Sequence, residues 1–159
     1  MEKIDSFKID HLDLHRGVYV SRSDVFGENT VTTIDIRVCR PYEDVVMCTP
    51  AIHTIEHIGA TFLRTMSSLD KDIIYFGPMG CQTGFYMILN GKFSSCEVLP
   101  AVKEMFKYIS TFEGDIPGAS EKECGNCYSH DLSGARKISH KFFNEVLSQA
   151  GFRNLNYQR

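Results

Sequence analysis

The sequence has no tryptophan, only five prolines and no excess of basic residues. Its 17 lysines and arginines stand against 20 aspartates and glutamates, which gives a formal charge of −3. Proteins that bind nucleic acids or membrane surfaces usually present a basic patch, so this balance argues against both classes. With 43% hydrophobic residues the composition is globular, and 159 residues suit a single domain over positions 1–159.

Long apolar segments are also missing. The longest apolar run is Phe85 to Leu89, far below the ~20 residues that a membrane-spanning helix needs. Charges interrupt residues 1–14 every few positions, so they predict no signal peptide and we expect a cytoplasmic protein. Thiols stay reduced in the cytoplasm, and the six cysteines are therefore expected to be free, metal-ligating or catalytic instead of paired.

Hydrophobic periodicity predicts an α+β fold with a mainly antiparallel sheet and helices packed on one face, because the connections are too irregular for repeated βαβ units. A period of two predicts strands over residues 18–22, 31–38 and 84–89. Helical spacing predicts helices over residues 50–68, 97–109 and 135–150, the first with Thr49 as its N-cap. Residues 110–134 have no period, and the two cysteines in this long loop favour a functional role for it.

The strand over residues 31–38 has one apolar and one polar face. Thr33, Asp35 and Arg37 share the polar face. The pattern alone favours a solvated sheet face. The alternative is a face whose side chains grip a hydroxylated ligand.

The strongest local signal for chemistry is His53-Thr54-Ile55-Glu56-His57. Histidines four residues apart lie on one face of a helix, so both imidazoles can reach one divalent ion. Glu56 borders the same face, where it could take a proton from a molecule bound to the metal. This H-x-x-E-H order is typical of metal-dependent chemistry.

Two histidines leave a tetrahedral catalytic site one protein ligand short. The candidates for the third ligand are Cys124, Cys127, His130 and the more distant His11 and His15. A thiolate with two imidazoles suits Zn²⁺ or Fe²⁺. Spacing cannot separate the two cysteines, and we favour Cys124 with Cys127 as the alternative.

Cys81 lies in a turn that is rich in glycine, Gly77-Pro78-Met79-Gly80-Cys81-Gln82-Thr83-Gly84. Such a turn would present the thiol for acid–base or nucleophilic work, whereas a small buried side chain is the equally weighted alternative. The other three cysteines, Cys39, Cys48 and Cys96, are expected to be packing residues.

Four separated segments resemble the S-ribosylhomocysteine lyase (LuxS, autoinducer-2 production) family. They are Ser6-Phe7 with Asp10-His11; the H-x-x-E-H segment; Pro78-Met79-Gly80-Cys81 with Thr83-Gly84-Phe85-Tyr86; and Pro117-Gly118-Ala119-Ser120-Glu121 with Glu123-Cys124-Gly125-Asn126. They occur in the family's order over nearly the whole chain. The sequence departs from the family at Thr33, Tyr75 and Gly77, which affects the substrate pocket more than the chemistry.

The resemblance implies a metal-dependent lyase that cleaves the thioether of S-ribosylhomocysteine. The products would be homocysteine and 4,5-dihydroxy-2,3-pentanedione, the autoinducer-2 precursor, formed by carbonyl migration and β-elimination. It also implies a homodimer with active sites at the subunit interface, and Fe²⁺ as the metal, replaceable by Zn²⁺ or Co²⁺. These properties would connect the chain to quorum sensing and the methionine cycle.

The resemblance further implies roles for individual residues. The metal ligands would be His53, His57 and Cys124, and the proton carriers Cys81 and Glu56. Ser6 and His11 would reach the substrate from the partner subunit, and Arg37 would hold its polar end.

Two other functions remain open from the residues alone. An inverzincin-type metallopeptidase would use Glu56 to activate a zinc-bound water, but would leave Cys81 and Cys124 without a role. A non-catalytic module would close its metal site with Cys127 as a fourth ligand.

Overall fold

The computed structural model describes residues 9–157. Its strands are β1 (Gly17–Phe26), β2 (Asn29–Arg37), β3 (Ile73–Pro78) and β4 (Gly84–Asn90). Its helices are α1 (Thr49–Thr65), α2 (Ser95–Ser110), α3 (Leu132–Glu145) and α4 (Phe152–Leu155), with a 3₁₀ turn at Leu147–Gln149. The predicted α+β class is confirmed.

The four strands form one sheet in the order β1-β2-β4-β3, and every neighbouring pair is antiparallel. The predicted antiparallel sheet is therefore confirmed. Strand β3 was not predicted, because its apolar run is short and ends in Gly77-Pro78, which indicated a turn.

The core lies between one face of this sheet and the long helices. Ile34 and Ile36 of β2 belong to the same buried cluster as Ile55 of α1 and Phe106 of α2. Burying such a side chain stabilises the fold by about 1.5–3 kcal/mol. This packing fixes α1 against the sheet, and the site described below depends on that helix.

The predicted helix ends need correction. Helix α1 begins at Thr49, so the N-cap position belongs to Cys48, whose side chain makes no cap hydrogen bond. Helix α3 begins at Leu132, three residues before the predicted start, because the Asp131 side chain accepts from the Gly134 amide. It ends at Glu145, short of the predicted end at residue 150.

The polar face of β2 is buried, so the expectation of a solvated face is wrong. Asp35 is only 1% exposed and Arg37 only 3%. The chain's C-terminal segment contributes to this burial, since Tyr157 stacks on Tyr19 of β1 with ring centroids 4.6 Å apart. The Tyr157 hydroxyl also donates a hydrogen bond to Asp35 Oδ2 at 3.0 Å.

All six cysteines are free, as the sequence predicted. Cys39 is buried, but Cys48 and Cys96 are exposed, so the expectation that these two pack in the interior is wrong. Among residues 9–157, no helix combines the length and apolar character that crossing a membrane requires.

Candidate metal centre and adjoining cysteine

Helix α1 holds His53 and His57 side by side, with ring centroids 4.6 Å apart. Each ring is oriented by a backbone carbonyl of the long loop between α2 and α3. His53 Nδ1 lies 2.7 Å from the Ser129 carbonyl oxygen, and His57 Nδ1 lies 2.8 Å from that of Pro117. Since a carbonyl only accepts, both Nδ1 atoms carry protons, and both Nε2 lone pairs are free to bind a metal.

The loop also brings a thiol to these rings. Cys124 Sγ lies 3.4 Å from His53 Nε2, although the two residues are 71 positions apart. His53, His57, Cys124 and His130 each offer one donor atom, and these four atoms lie within 4.8 Å of one another. Sulfur and imidazole donors suit Zn²⁺ or Fe²⁺, so the chemistry of the set fits the metal that the sequence implied.

His130 is the fourth member of this group. The Thr54 hydroxyl donates to the Pro50 carbonyl at 2.9 Å, so toward His130 Nδ1, 3.2 Å away, it accepts. The proton therefore lies on Nδ1, and the buried Nε2 has no hydrogen-bond partner among the described residues. Burial and the neighbouring His53 and His57 lower the pKa of His130, which keeps the ring neutral near pH 7.

The orientation of the His130 ring relative to the His53 ring bears on whether both can bind the same ion. The two rings are stacked, with centroids 4.0 Å apart and planes inclined by 15°. An imidazole lone pair lies in the plane of its ring, so two stacked rings cannot both direct lone pairs at one ion. The stacking therefore argues against His53 and His130 binding the same ion.

The other candidates for the third metal ligand lie outside this group of four donors. Cys127 is half-buried three residues from Cys124 but lies outside the four-residue cluster. His11 and His15 are also outside it. His15 instead lies 4.0 Å from Asp13.

Glu56 lies on α1 between the two histidines and is half-buried. Its carboxylate makes no hydrogen bond or ion pair with any other residue in the described part of the chain. The carboxylate is thus free to accept a proton from a bound molecule.

Cys81 lies in a second polar cluster, on the turn between β3 and β4. A tight turn places it there: the Gln82 amide donates to the Met79 carbonyl at 2.9 Å, and Gln82 adopts a left-handed φ of 62°. The thiol is exposed, which supports presentation of Cys81 over packing.

Arg37 of β2 connects this thiol to the buried strand face. Its guanidinium donates to Asp35 Oδ2 at 2.6 Å and to Thr83 Oγ1 at 2.5 Å, and it lies 3.8 Å from Cys81 Sγ. Burial is the largest single influence and acts to lower the pKa of Arg37, but the charge and hydrogen bond of Asp35, together with the nearby Cys81 and Tyr157, outweigh it and raise that pKa. Arg37 is therefore a fixed positive charge beside the cysteine.

This environment favours the thiolate. Burial alone would raise the pKa of the Cys81 thiol. Hydrogen bonds from the Thr83 side chain and backbone, together with the charge of Arg37, reverse that effect and bring the pKa below its ordinary value.

Comparison with known proteins decides the family. The model of the S-ribosylhomocysteinase (LuxS) family matches residues 4–152. The chain belongs to the LuxS family.

Individual LuxS relatives match over almost their whole length. The chain is 50% identical to the S-ribosylhomocysteine lyase of Desulfotalea psychrophila and 49% identical to that of Clostridium beijerinckii. It is 47% identical to the S-ribosylhomocysteine lyase of Borreliella burgdorferi. Each match spans 157 residues, or 99% of both proteins. The resemblance drawn from the four segments is confirmed.

Two predicted LuxS site residues remain, His11 and Ser6, and only His11 lies within the described residues. His11 is half-buried, with Nδ1 2.9 Å from the Ile9 carbonyl oxygen, and it is close enough to Asp35 to affect the pKa of that carboxyl. Ser6 lies outside the described residues.

Sequence reasoning missed three polar residues that the fold brings to these two clusters. Thr54 fixes the tautomer of His130, Thr83 contacts the Cys81 sulfur, and Tyr157 donates to Asp35. The signal for Thr83 was present, since it lies two residues from Cys81 in the same turn. No local pattern connects Tyr157 to Asp35, because 122 positions separate them.

Proposed function

We propose that this chain is a metal-dependent S-ribosylhomocysteine lyase, which releases homocysteine and leaves 4,5-dihydroxy-2,3-pentanedione. The single observation that carries this proposal is the combination of LuxS membership over residues 4–152 with a His/Cys donor cluster whose rings are already oriented for a metal. All the relatives compared above have the name of this lyase.

His53, His57 and Cys124 are the proposed metal ligands. Their support is the approach of the Cys124 sulfur to His53 Nε2 and the carbonyl contacts that free both Nε2 lone pairs. We propose Fe²⁺ as the ion, with Zn²⁺ or Co²⁺ as substitutes, because the donor set suits these metals. A divalent ion held there supplies Lewis acidity to the sugar carbonyl.

Cys81 and Glu56 are the proposed proton carriers. A thioether leaves readily only when its bond is β to a carbonyl, so the carbonyl must first move from C1 toward C3 of the ribose. Each move takes a proton from one carbon and returns a proton to its neighbour. The Cys81 sulfur suits this task because Arg37 and Thr83 favour its thiolate, and the Glu56 carboxylate, which has no partner among residues 9–157, provides a second acceptor.

Substrate binding is assigned to Arg37, His11 and Ser6. Arg37 is charged, rigidly held and 3.8 Å from the Cys81 sulfur, so it can direct a polar end of the substrate toward that thiolate. His11 lies near the same strand face. The role of Ser6 stays a prediction of the sequence.

We propose that the enzyme acts as a homodimer with active sites at the interface. Within one chain, Cys81 beside Arg37 is not among the grouped metal donors, and we propose that a second copy completes the site. The segment before α1 supports this proposal, because Val45 is 92% exposed and Val46 48%, and exposed apolar side chains favour association. The cytoplasmic location, and the use of the product in quorum sensing beside the methionine cycle, stay predictions.

The two rival functions are not favoured. LuxS membership argues against a metallopeptidase, which would leave the Cys81 thiolate without a use. A module closed by Cys127 is disfavoured because Cys127 lies outside the donor group.

The test is release of homocysteine, measured as free thiol after the metal-loaded protein is mixed with S-ribosylhomocysteine. We expect turnover by the unaltered protein. Glu56→Gln and Cys81→Ala should keep one equivalent of metal and lose at least about 10²-fold in rate, the usual contribution of a positioned acid–base group.

Matched controls are Glu104→Gln on the exposed face of α2 and Cys96→Ala at another exposed thiol, and both should keep full activity. Absence of thiol release from the loaded wild-type protein would refute the proposed function. Normal release from Glu56→Gln or Cys81→Ala would refute the role of that residue.

A further inference from the structure

The sulfur of Cys81 lies among donors that come mainly from one residue. Thr83 Oγ1 is 3.1 Å from Cys81 Sγ, and the Thr83 backbone also contributes a hydrogen bond to this sulfur. Arg37 Nη1 is more distant, at 3.8 Å. Thr83 is therefore the nearest polar neighbour of the proposed proton carrier.

The direction of the hydroxyl hydrogen bond follows from the other contact of Thr83. Its Oγ1 accepts from Arg37 Nη1 at 2.5 Å, and Arg37 is in turn held by Asp35 at 2.6 Å. A hydroxyl has a single proton to donate. Among the described residues, the only acceptor within reach of that proton is the Cys81 sulfur.

We infer that Thr83 is a positioning residue whose hydroxyl, oriented by Arg37, donates to Cys81 and holds its sulfur as the proton-accepting thiolate. This inference rests on the proposed function and names the group that prepares its proton carrier. A thiolate is a stronger acceptor than a neutral thiol, and hydrogen bonds to charged groups are roughly twice as strong as those between neutral groups.

The backbone holds the two side chains in this relation. The Thr83 carbonyl accepts from the amides of Val38 and Cys39 at 3.0 and 2.9 Å, which fastens the turn to the end of β2. The Gln82 carbonyl accepts from the Met47 amide at 3.1 Å on the other side. The contact between Thr83 and Cys81 is thus fixed before any ligand binds.

Exposure separates the roles of the two residues. Thr83 is only 6% exposed, whereas the Cys81 side chain is exposed. A substrate can reach the sulfur, but Thr83 lies behind it. We therefore expect Thr83 to act through the protonation state of Cys81 and to leave substrate affinity nearly unchanged.

The experiment measures the rate at which iodoacetamide alkylates Cys81 as a function of pH, by mass spectrometry of the peptide that contains it. In the unaltered protein, the midpoint should lie below the ~8.5 of an ordinary thiol. Thr83→Val keeps the shape but removes the hydroxyl, and we expect its midpoint to rise by about one pH unit, since a unit corresponds to one hydrogen bond of typical strength. Thr83→Ser, which retains the hydroxyl, should restore the midpoint.

An internal control comes from the same digest. Cys96 is an exposed thiol on α2, and its profile should be identical in all variants. With substrate, Thr83→Val should lower kcat about tenfold near neutral pH with little change in KM, and the loss should shrink at alkaline pH.

Superimposed Cys81 profiles for the wild-type protein and Thr83→Val would overturn the inference. If Thr83→Val does not fold, Thr83→Ala removes the same hydroxyl without adding volume, and an unshifted midpoint there is equally decisive. The alkylation profile needs no substrate. A protein that shows the shift but releases no homocysteine would therefore refute the proposed function and leave the inference about Thr83 standing.

Discussion

Replacement of Arg37 by methionine tests how much the buried ion pair between Arg37 and Asp35 contributes to the stability of the protein. Arg37 is 3% exposed, and its guanidinium donates to Asp35 Oδ2 at 2.6 Å. A methionine side chain at this position would fill similar space without charge. The Asp35 carboxylate would then keep only the Tyr157 hydroxyl as a hydrogen-bond partner, since its Oδ1 already has none among the described residues.

The expected loss of stability follows from how few partners the Asp35 carboxylate would keep. Removing one partner of a buried ion pair typically costs about 3–5 kcal/mol, because the other charge stays buried and uncompensated. For a domain of this size, 1 kcal/mol lowers Tm by roughly 2–4 °C, so Arg37→Met should lower Tm by about 6–20 °C. Thermal unfolding followed by circular dichroism, at matched protein concentration and metal content, measures this change.

The pH dependence has a definite sign. Burial raises the pKa of the Asp35 carboxyl, and the positive charge of Arg37 opposes that rise in the unaltered protein. Without Arg37 the folded-state pKa of Asp35 rises further above its unfolded value, so the folded variant gains a proton as pH falls. The deficit in the free energy of unfolding relative to the wild-type protein should therefore be largest at neutral pH and shrink in acid.

A double variant supplies the control. Asp35→Asn combined with Arg37→Met removes both charges, and it should recover at least half of the stability lost by Arg37→Met alone. The reasoning is refuted if Arg37→Met costs less than about 1 kcal/mol, the value expected of an exposed pair. It is equally refuted if the double variant is no more stable than the single one.

Two further predictions concern the metal and the sheet. His57→Ala should lose the bound metal, measured by elemental analysis after dialysis, because a single imidazole and a thiolate remain; retention of one equivalent would exclude His57 as a ligand. Gly84→Ala should destabilise the protein by more than about 1 kcal/mol in urea unfolding, since a Cβ there would clash with the Ile36 carbonyl oxygen, which belongs to the rigid backbone of β2. An unchanged unfolding midpoint in Gly84→Ala would show that β2 can move away.

Several features of the protein were predictable from short stretches of sequence. The spacing of His53 and His57 already placed both rings on one helical face, and the glycines around Cys81 already indicated a turn, although they left open whether its thiol is presented or buried. These predictions succeeded because helix periodicity and turn geometry depend on residues a few positions apart. The wrong prediction of a solvated face on β2 has the opposite origin. Alternation shows that Asp35 and Arg37 share a face, but it does not show which distant segments cover that face.

The sequence by itself determined the family, the α+β class and the chemical types of the site residues. Only the tertiary structure decided which of several thiols and imidazoles meet at the metal centre, because Cys124 and His130 reach α1 through a long loop whose path no periodicity describes. It also decided that Tyr157 contacts Asp35 across 122 positions and that Thr83 hydrogen-bonds the Cys81 sulfur. Contacts between distant segments depend on how the whole core packs, and that packing is not contained in any local pattern.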